Sequence, residues 1–292
     1  MTHSIPGLEK AFDELGYIVE EELATILFLM LSLKKPLLLE GHPGVGKTEI
    51  ANILASYLDT DLIRLQCYEG LDSQSSLYEW NYQKQLLSIK IQETGNLSES
   101  EKERHIFSEE FLLQRPLLKA ISNKSRSPIL LIDEIDRADE EFEAFLLELL
   151  SAYQISIPEW GTIKAIHPPL VILTSNRTRE LSDALRRRCL YHWIEYPSFE
   201  KELKIVKKRL PGIGEDLGLQ VVKTIQSLRA RNLEKAPGIS ETLDWVNSLH
   251  ALGKTSLDED AFSRTLGAVL KSHSDEGRIR QEGLAGILEN LP

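Results

Sequence analysis

The apolar and polar positions of this chain fall into a few clear periods. Three acids (Glu20–Glu22) precede the apolar run LATILFLMLSL (Leu23–Leu33), and Lys34 and Lys35 follow it. Acid before and base after complement a helix dipole. The run is about half the ~20 residues a membrane span needs, and Thr25 and Ser32 interrupt it. A buried helix is therefore predicted. PLLLE (Pro36–Glu40) then reads as a short buried strand. A glycine-rich stretch follows, and after it Ile50, Ile53, Leu54, Tyr57 and Leu58 recur at helical spacing. DLIRLQC (Asp61–Cys67) reads as a second strand. Strand, helix, strand implies a parallel sheet.

Residues 69–126 are less regular. ETGNLSESEKER (Glu93–Arg104) is polar and predicts a loop, whereas RPLLKAI (Arg115–Ile121) predicts a helix with proline in its first turn. Strong periodicity returns at SPILLIDE (Ser127–Glu134), an apolar strand closed by two carboxylates. Phe142, Phe145, Leu146, Leu149, Leu150 and Tyr153 then mark one face of a helix. ISIPEWGTIKAI reads as a hairpin around Pro-Glu-Trp-Gly. PLVILTSN (Pro169–Asn176) and LYHWIEY (Leu190–Tyr196) read as two further strands. Beyond Pro197 only helical patterns remain, with Ser240 a candidate N-cap and Gly253 a candidate C′ residue. The expected organisation is an α/β domain over 1–197, with an insertion at about 69–126 and a hairpin at about 155–166, then a helical lid domain over 198–292.

Composition narrows the function classes. The 292 residues are 42% hydrophobic, enough for a substantial core, and carry 34 Lys+Arg against 45 Asp+Glu, a net charge of −11. A nucleic-acid or anionic-membrane partner would need a local basic patch to overcome that charge. KELKIVKKR (Lys201–Arg209) is basic, but a solvated helix face or subunit contact explains it. The two cysteines, Cys67 and Cys189, lie far apart in no metal-like spacing, and with no visible secretory leader they read as reduced thiols of a cytoplasmic protein.

The chemistry concentrates in four places. Gly41-His42-Pro43-Gly44-Val45-Gly46-Lys47-Thr48, followed by Glu49, satisfies the P-loop pattern G-x-x-x-x-G-K-[ST] between a strand and a helix. Its glycines let backbone N–H groups approach phosphates, and the following helix points its positive end at them. Lys47 would neutralise β/γ-phosphate charge, and the Thr48 hydroxyl would bind Mg²⁺. Asp133-Glu134 closes a buried strand, where carboxylates need a cation or water. Asp133 can orient hydrated Mg²⁺, and Glu134 can polarise the water that attacks the γ-phosphate of ATP. Asn176, at the next strand's end, can hold that water or the phosphate without adding negative charge, though asparagine is also an ordinary strand-end residue. Arg186-Arg187-Arg188 stand before Cys189, either as a solvated helix end favoured by the dipole or as functional cations.

The order P-loop, LLIDEIDRADEEFEAFLLELL, hairpin, VILTSN, ALRRRC resembles the AAA+ ATPases, and within them the MoxR group. LLEGHPGVGKTE, YEWNYQKQLLSI and TSNRTRELSDALRRRCLYHWIEYPS are similar to MoxR-type ATPases of carbon monoxide dehydrogenase accessory clusters. The resemblance implies a homo-oligomeric ring, typically a hexamer. It implies ATP and Mg²⁺ as cofactors, a von Willebrand A-domain partner, and a metalloenzyme client such as a molybdenum-containing CO dehydrogenase. It also implies a trans-acting arginine finger, with Arg188 the best alignment and Arg187 the alternative. Tyr78, Trp80 and Trp160 fall in elements that face the ring and could touch a client or simply pack. Two departures stand out. PGISETLDW places Ser240 and Glu241 where many relatives carry a sensor-2 arginine, leaving Lys235 a weak substitute. Asp136-Arg137-Ala138 replaces the more usual Asn-Arg-Ala, with Arg137 a structural ion-pair partner or an interface residue. A nucleic-acid-directed motor and a nucleotide-dependent scaffold without turnover are the readings from other classes.

Overall fold

The computed structural model describes residues 3–72, 76–92, 98, 104–157 and 161–289. Most of the polar stretch 93–104 lies outside them, as does the hairpin turn with Trp160. Five strands, β1 (Leu37–Gly41), β2 (Leu62–Gln66), β5 (Ile129–Asp133), β8 (Leu170–Ser175) and β9 (Leu190–Ile194), form a sheet in the order β2-β5-β8-β1-β9. The pairings β2·β5, β5·β8 and β1·β8 are parallel. In β1 and β5 every residue is buried, the mark of strands covered on both faces. That is why PLLLE and PILLID read as unbroken apolar runs rather than as alternation. The predicted parallel α/β sheet with a helical C-terminal region is the observed architecture.

By internal contacts the chain forms two compact units. One contains residues 25–40 and 51–192; the other contains 1–24, 41–50 and 193–292. Each is considered by itself.

In the first unit the core runs through Leu38, Leu65, Leu130, Ile132, Leu146, Leu173 and Leu185. Helix α6 (Glu140–Ala152) turns Phe142, Leu146, Leu149 and Leu150 inward, as the periodicity predicts. Its N-cap Asp139 accepts the Phe142 N–H at 2.8 Å, and Tyr153 ends it in the left-handed region at φ 47°. The irregular segment contains more order than its sequence advertises. β3 (Tyr78–Trp80) pairs antiparallel with β4 (Leu112–Gln114), and α4 (Tyr82–Gln92) follows β3. Helix α5 (Pro116–Ile121) begins at the predicted proline. The hairpin strands are β6 (Gln154–Ile157) and β7 (Gly161–Lys164).

In the second unit α8 (Phe199–Arg209), α9 (Glu215–Arg229), α10 (Ile239–Ala251), α11 (Glu259–Val269) and α12 (His273–Glu289) pack around Trp245, Phe262, Val221, Ile225 and Ile279. Trp245 Nε1 donates to Thr265 Oγ1 at 2.7 Å, satisfying the indole inside that core. Gly253 takes the left-handed conformation (φ +69°) that favours glycine after a helix. Ser240 is not the N-cap of α10. Gly238 occupies that position, and the Glu241 carboxylate accepts its N–H at 2.9 Å. The helix cap thus stands two residues before the serine.

Candidate nucleotide site

The second unit holds the P-loop, which the chain enters directly from β1. Gly44 (φ +74°) and Gly46 (φ +94°) sit in the left-handed region, so the loop's curvature requires glycine at both. Lys47 is buried at the start of α3 (Lys47–Tyr57), and its Nζ donates to the Gly41 and His42 carbonyls at 2.7 and 2.8 Å. The ammonium is thus held over the loop it would serve. His42 stacks on Tyr196 with ring centroids 4.6 Å apart and planes 8° apart, and meets Trp193 edge-on at 5.6 Å. The Arg229 guanidinium lies 4.8 Å from the Tyr196 ring. The Glu49 carboxylate pairs with Arg209 at 3.3 Å.

The start of α10 is folded onto this loop. The Ile239 N–H donates to the Gly44 carbonyl at 2.9 Å. A Cβ on Gly238 would stand 2.8 Å from Gly44 Cα and 2.8 Å from the Pro43 oxygen. The PGISE segment, where a sensor-2 arginine is missing, is therefore a close backbone contact that only glycine at 238 allows. Behind it lies a buried cluster. Arg229 donates to both oxygens of Glu202 at 2.6 and 2.7 Å and to the Pro237 carbonyl, and Thr242 also donates to Glu202. Sequence reasoning missed this group; a glutamate on the apolar side of α8 and an arginine ending α9 were its only signals. The Lys235 backbone N–H donates to Asp275 at 3.1 Å.

In the first unit the strand register brings the other candidates to one edge. Glu40 is opposite Ser175, and Gln66 is opposite Asp133. Asp133 is buried. Its Oδ1 accepts the Thr174 hydroxyl, and its Oδ2 accepts Nε and Nη2 of Arg64 at 3.0 and 2.5 Å. Thr174 Oγ1 also accepts the Glu134 N–H at 3.0 Å, so one hydroxyl ties both carboxylate residues to β8. Glu134 adopts a left-handed backbone (φ 55°), and Arg137 pairs with its carboxylate at 2.9 Å. Arg137 is thus an ion-pair partner of Glu134 within the chain. Thr174 was legible only as one of two hydroxyls, with Ser175, that end a buried apolar strand.

Asn176 is placed by Asp136. The Asn176 N–H donates to Asp136 at 3.2 and 3.3 Å. The Thr178 N–H and hydroxyl donate to the same carboxylate at 2.8 and 2.7 Å. An acceptor-only group suits that ring of donors, which accounts physically for aspartate in place of the usual asparagine. Beyond Asn176, Arg177 approaches the buried Glu40 at 3.7 Å, and Tyr191 donates to Glu40 at 3.1 Å. Burial, then the Glu40 carboxylate, raises the Tyr191 phenol.

The three arginines separate. They end α7 (Asp183–Arg188), whose N-cap is Ser182. Arg188 donates to the Leu147 carbonyl at 2.8 Å and to Ser151 Oγ at 3.1 Å, both on α6. Arg186 lies over the Tyr191 ring at 5.7 Å. Arg187 is 84% exposed, with only a long 3.9 Å approach to the equally exposed Asp183. Tyr78 and Trp80 are buried in the core rather than turned outward, because β3 and β4 pack on it. Instead Tyr82, Leu86, Leu87 and Ile91 of α4 are exposed.

No cluster of three or more His, Cys, Asp or Glu side chains that could cage a metal occurs among the described residues. The first unit offers the buried carboxylate of Asp133 as an oxygen donor, and the second unit, taken by itself, offers the Thr48 hydroxyl. Hard oxygen donors too few for a full protein cage suit Mg²⁺, which keeps waters and shares substrate phosphates.

A P-loop at the end of a parallel-sheet strand and an acidic pair ending another define a P-loop ATPase class. The family model "ATPase family associated with various cellular activities (AAA)" matches residues 37–195, more than half of the chain, and the chain belongs to that family. It is similar to an uncharacterised protein of Staphylococcus aureus strain USA300, 27% identical over 226 residues, covering 75% of this chain and 77% of that protein. Another, from the bovine strain RF122 / ET3-1, is 29% identical over 227 residues with the same coverage. Among solved structures, a Thermotoga maritima RuvB variant matches with TM-score 0.51 at 21% identity over 91% of this chain and 73% of that one. A Cytophaga hutchinsonii protein matches with TM-score 0.50 at 18% identity over 99% and 95%. These likenesses establish the fold. No helix among the described residues is long and apolar enough to cross a membrane.

Proposed function

We propose that the protein is a ring-forming AAA+ ATPase, typically a hexamer, that hydrolyses ATP with Mg²⁺ to remodel a protein client. The observation that carries this is the complete P-loop, with its glycines in the left-handed region, in a chain whose β5 ends in the Asp133-Glu134 pair. In this reading residues 41–48 bind the phosphates. Thr48 and Asp133 hold the cation, which would supply Lewis-acid stabilisation of phosphate charge. Glu134 accepts a proton from the attacking water, Asn176 orients that water, and an arginine from the neighbouring subunit answers the charge that develops on the γ-phosphate.

Of the arginines, Arg187 is the one we assign to the neighbour. Arg188 is bonded within its own chain, where it anchors α7 to α6, while Arg187 is extended into solvent. The resemblance to MoxR-type ATPases supports a metalloenzyme client, such as a molybdenum-containing CO dehydrogenase during metal-cofactor insertion, and a von Willebrand A-domain partner. The exposed apolar residues of α4 offer a contact for such partners. The net charge of −11 disfavours a nucleic-acid-directed motor.

The reading is tested with two variants. Glu134→Gln should bind ATP and fail to hydrolyse it, and Lys47→Ala should lose binding. Undiminished hydrolysis by Glu134→Gln would remove the assignment.

A further inference from the structure

Arg64 is used by none of the roles above, yet it is a cation placed against the carboxylate expected to hold Mg²⁺. It sits on β2 opposite Leu131, two residues before Gln66, which is opposite Asp133. Its half-exposed side chain runs along the strand until Nε and Nη2 reach Asp133 Oδ2 at 3.0 and 2.5 Å. Nη2 also donates to Gln66 Oε1, which fixes the fork's direction. The Asp133 side chain is only 4% exposed, and its other oxygen accepts from Thr174. Burying a carboxylate without a charged, hydrogen-bonded partner is costly. Arg64 supplies that partner.

Resting on the nucleotide-site reading, we propose that Arg64 is a positioning residue that holds Asp133 ready for the divalent cation and, by competing for Oδ2, sets how tightly that cation binds. A dication at Asp133 meets a guanidinium charge already on the same carboxylate. Unlike charges attract each other across the pair, but the two cations repel, and in a partly buried site that repulsion is weakly screened. The protein thus keeps a folded, aimed carboxylate at the cost of cation affinity.

The test is Mn²⁺ titration followed by electron paramagnetic resonance at saturating AMP-PNP, a non-hydrolysable ATP analogue. Wild type, Arg64→Gln, Arg64→Met and Arg64→Lys are compared. We expect Arg64→Gln and Arg64→Met to bind Mn²⁺ roughly tenfold more tightly than wild type. Their melting temperatures should be lower without Mn²⁺ and recover more on adding it. Arg64→Lys, which keeps the charge, should stay close to wild type in Mn²⁺ affinity. Unchanged or weaker Mn²⁺ binding by either neutral variant that folds overturns the proposal, as does full Mn²⁺ affinity in Asp133→Asn. Failure of the underlying reading is separately visible: wild type would then show no AMP-PNP-dependent Mn²⁺ site at all.

Discussion

Cys67 and Cys189 illustrate how position sets a side chain's chemistry. Burial pushes each thiol from the ordinary 9.0 up to about 12. The Asp133, Asp136 and Glu134 carboxylates add to the rise at Cys67, while Arg188 opposes it at Cys189. Both are therefore protonated at neutral pH and poor nucleophiles. We expect neither to be alkylated by iodoacetamide at pH 8 in the folded protein, read by intact mass. The folded pKa lies above the unfolded one, so the contribution to stability is complete below about pH 9. It is lost as pH rises toward about 12, and chemical denaturation across that window should register the loss. At the same scale, the arginine run divides by partner. Arg187→Ala should lose turnover with ATP binding intact. Arg188→Ala should chiefly lower the melting temperature, since it removes the bonds to Leu147 and Ser151. Equal turnover loss without destabilisation in Arg188→Ala would return the trans role to Arg188.

Between elements, the decisive contacts lie where α10 meets the P-loop and where α8 meets α9. Gly238→Ala forces a Cβ to within 2.8 Å of Gly44 Cα and the Pro43 oxygen, both backbone atoms that cannot swing away. We expect it to cost about 1–3 kcal/mol, typical of overpacking, and to weaken nucleotide binding through the displaced loop. Denaturant unfolding and fluorescent-nucleotide titration would measure the two effects. Glu202 and Arg229 are almost wholly buried. Arg229→Ala strands the glutamate and should cost about 3–5 kcal/mol. Replacing both residues with apolar ones of similar volume should cost far less, and equal losses would show that the pair itself is not what matters.

For the whole molecule, the proposed ring makes a prediction no single subunit can satisfy. Glu134→Gln subunits lack the water-activating carboxylate but keep their arginines; Arg187→Ala subunits have the reverse defect. Mixing the two should restore part of the ATPase activity, because some interfaces then combine an intact Glu134 with an intact Arg187. Mixtures no more active than either parent, with Arg187→Ala alone fully active, would sink a trans-acting Arg187. Native mass spectrometry with ATP should reveal the assembly directly.

The sequence by itself determined the sheet, most of the helices and the identity of the chemical groups. Fully buried parallel strands are continuous apolar runs, helices repeat at 3.6 residues, and a P-loop is local, so its eight residues suffice to define it. Residues 69–126 were less legible because β3 and β4 are three residues each and gain their stability from the core beneath them, not from their own pattern. Only the tertiary structure decided which polar groups meet. Arg64 reaches Asp133 from 69 positions away, Thr174 ties both acids to β8, Asp136 holds the turn after Asn176, and Gly238 closes on Gly44. No window of sequence contains both partners of any of these contacts, and hydrophobic periodicity says where a strand lies but not which neighbour's side chain its last carboxylate will face.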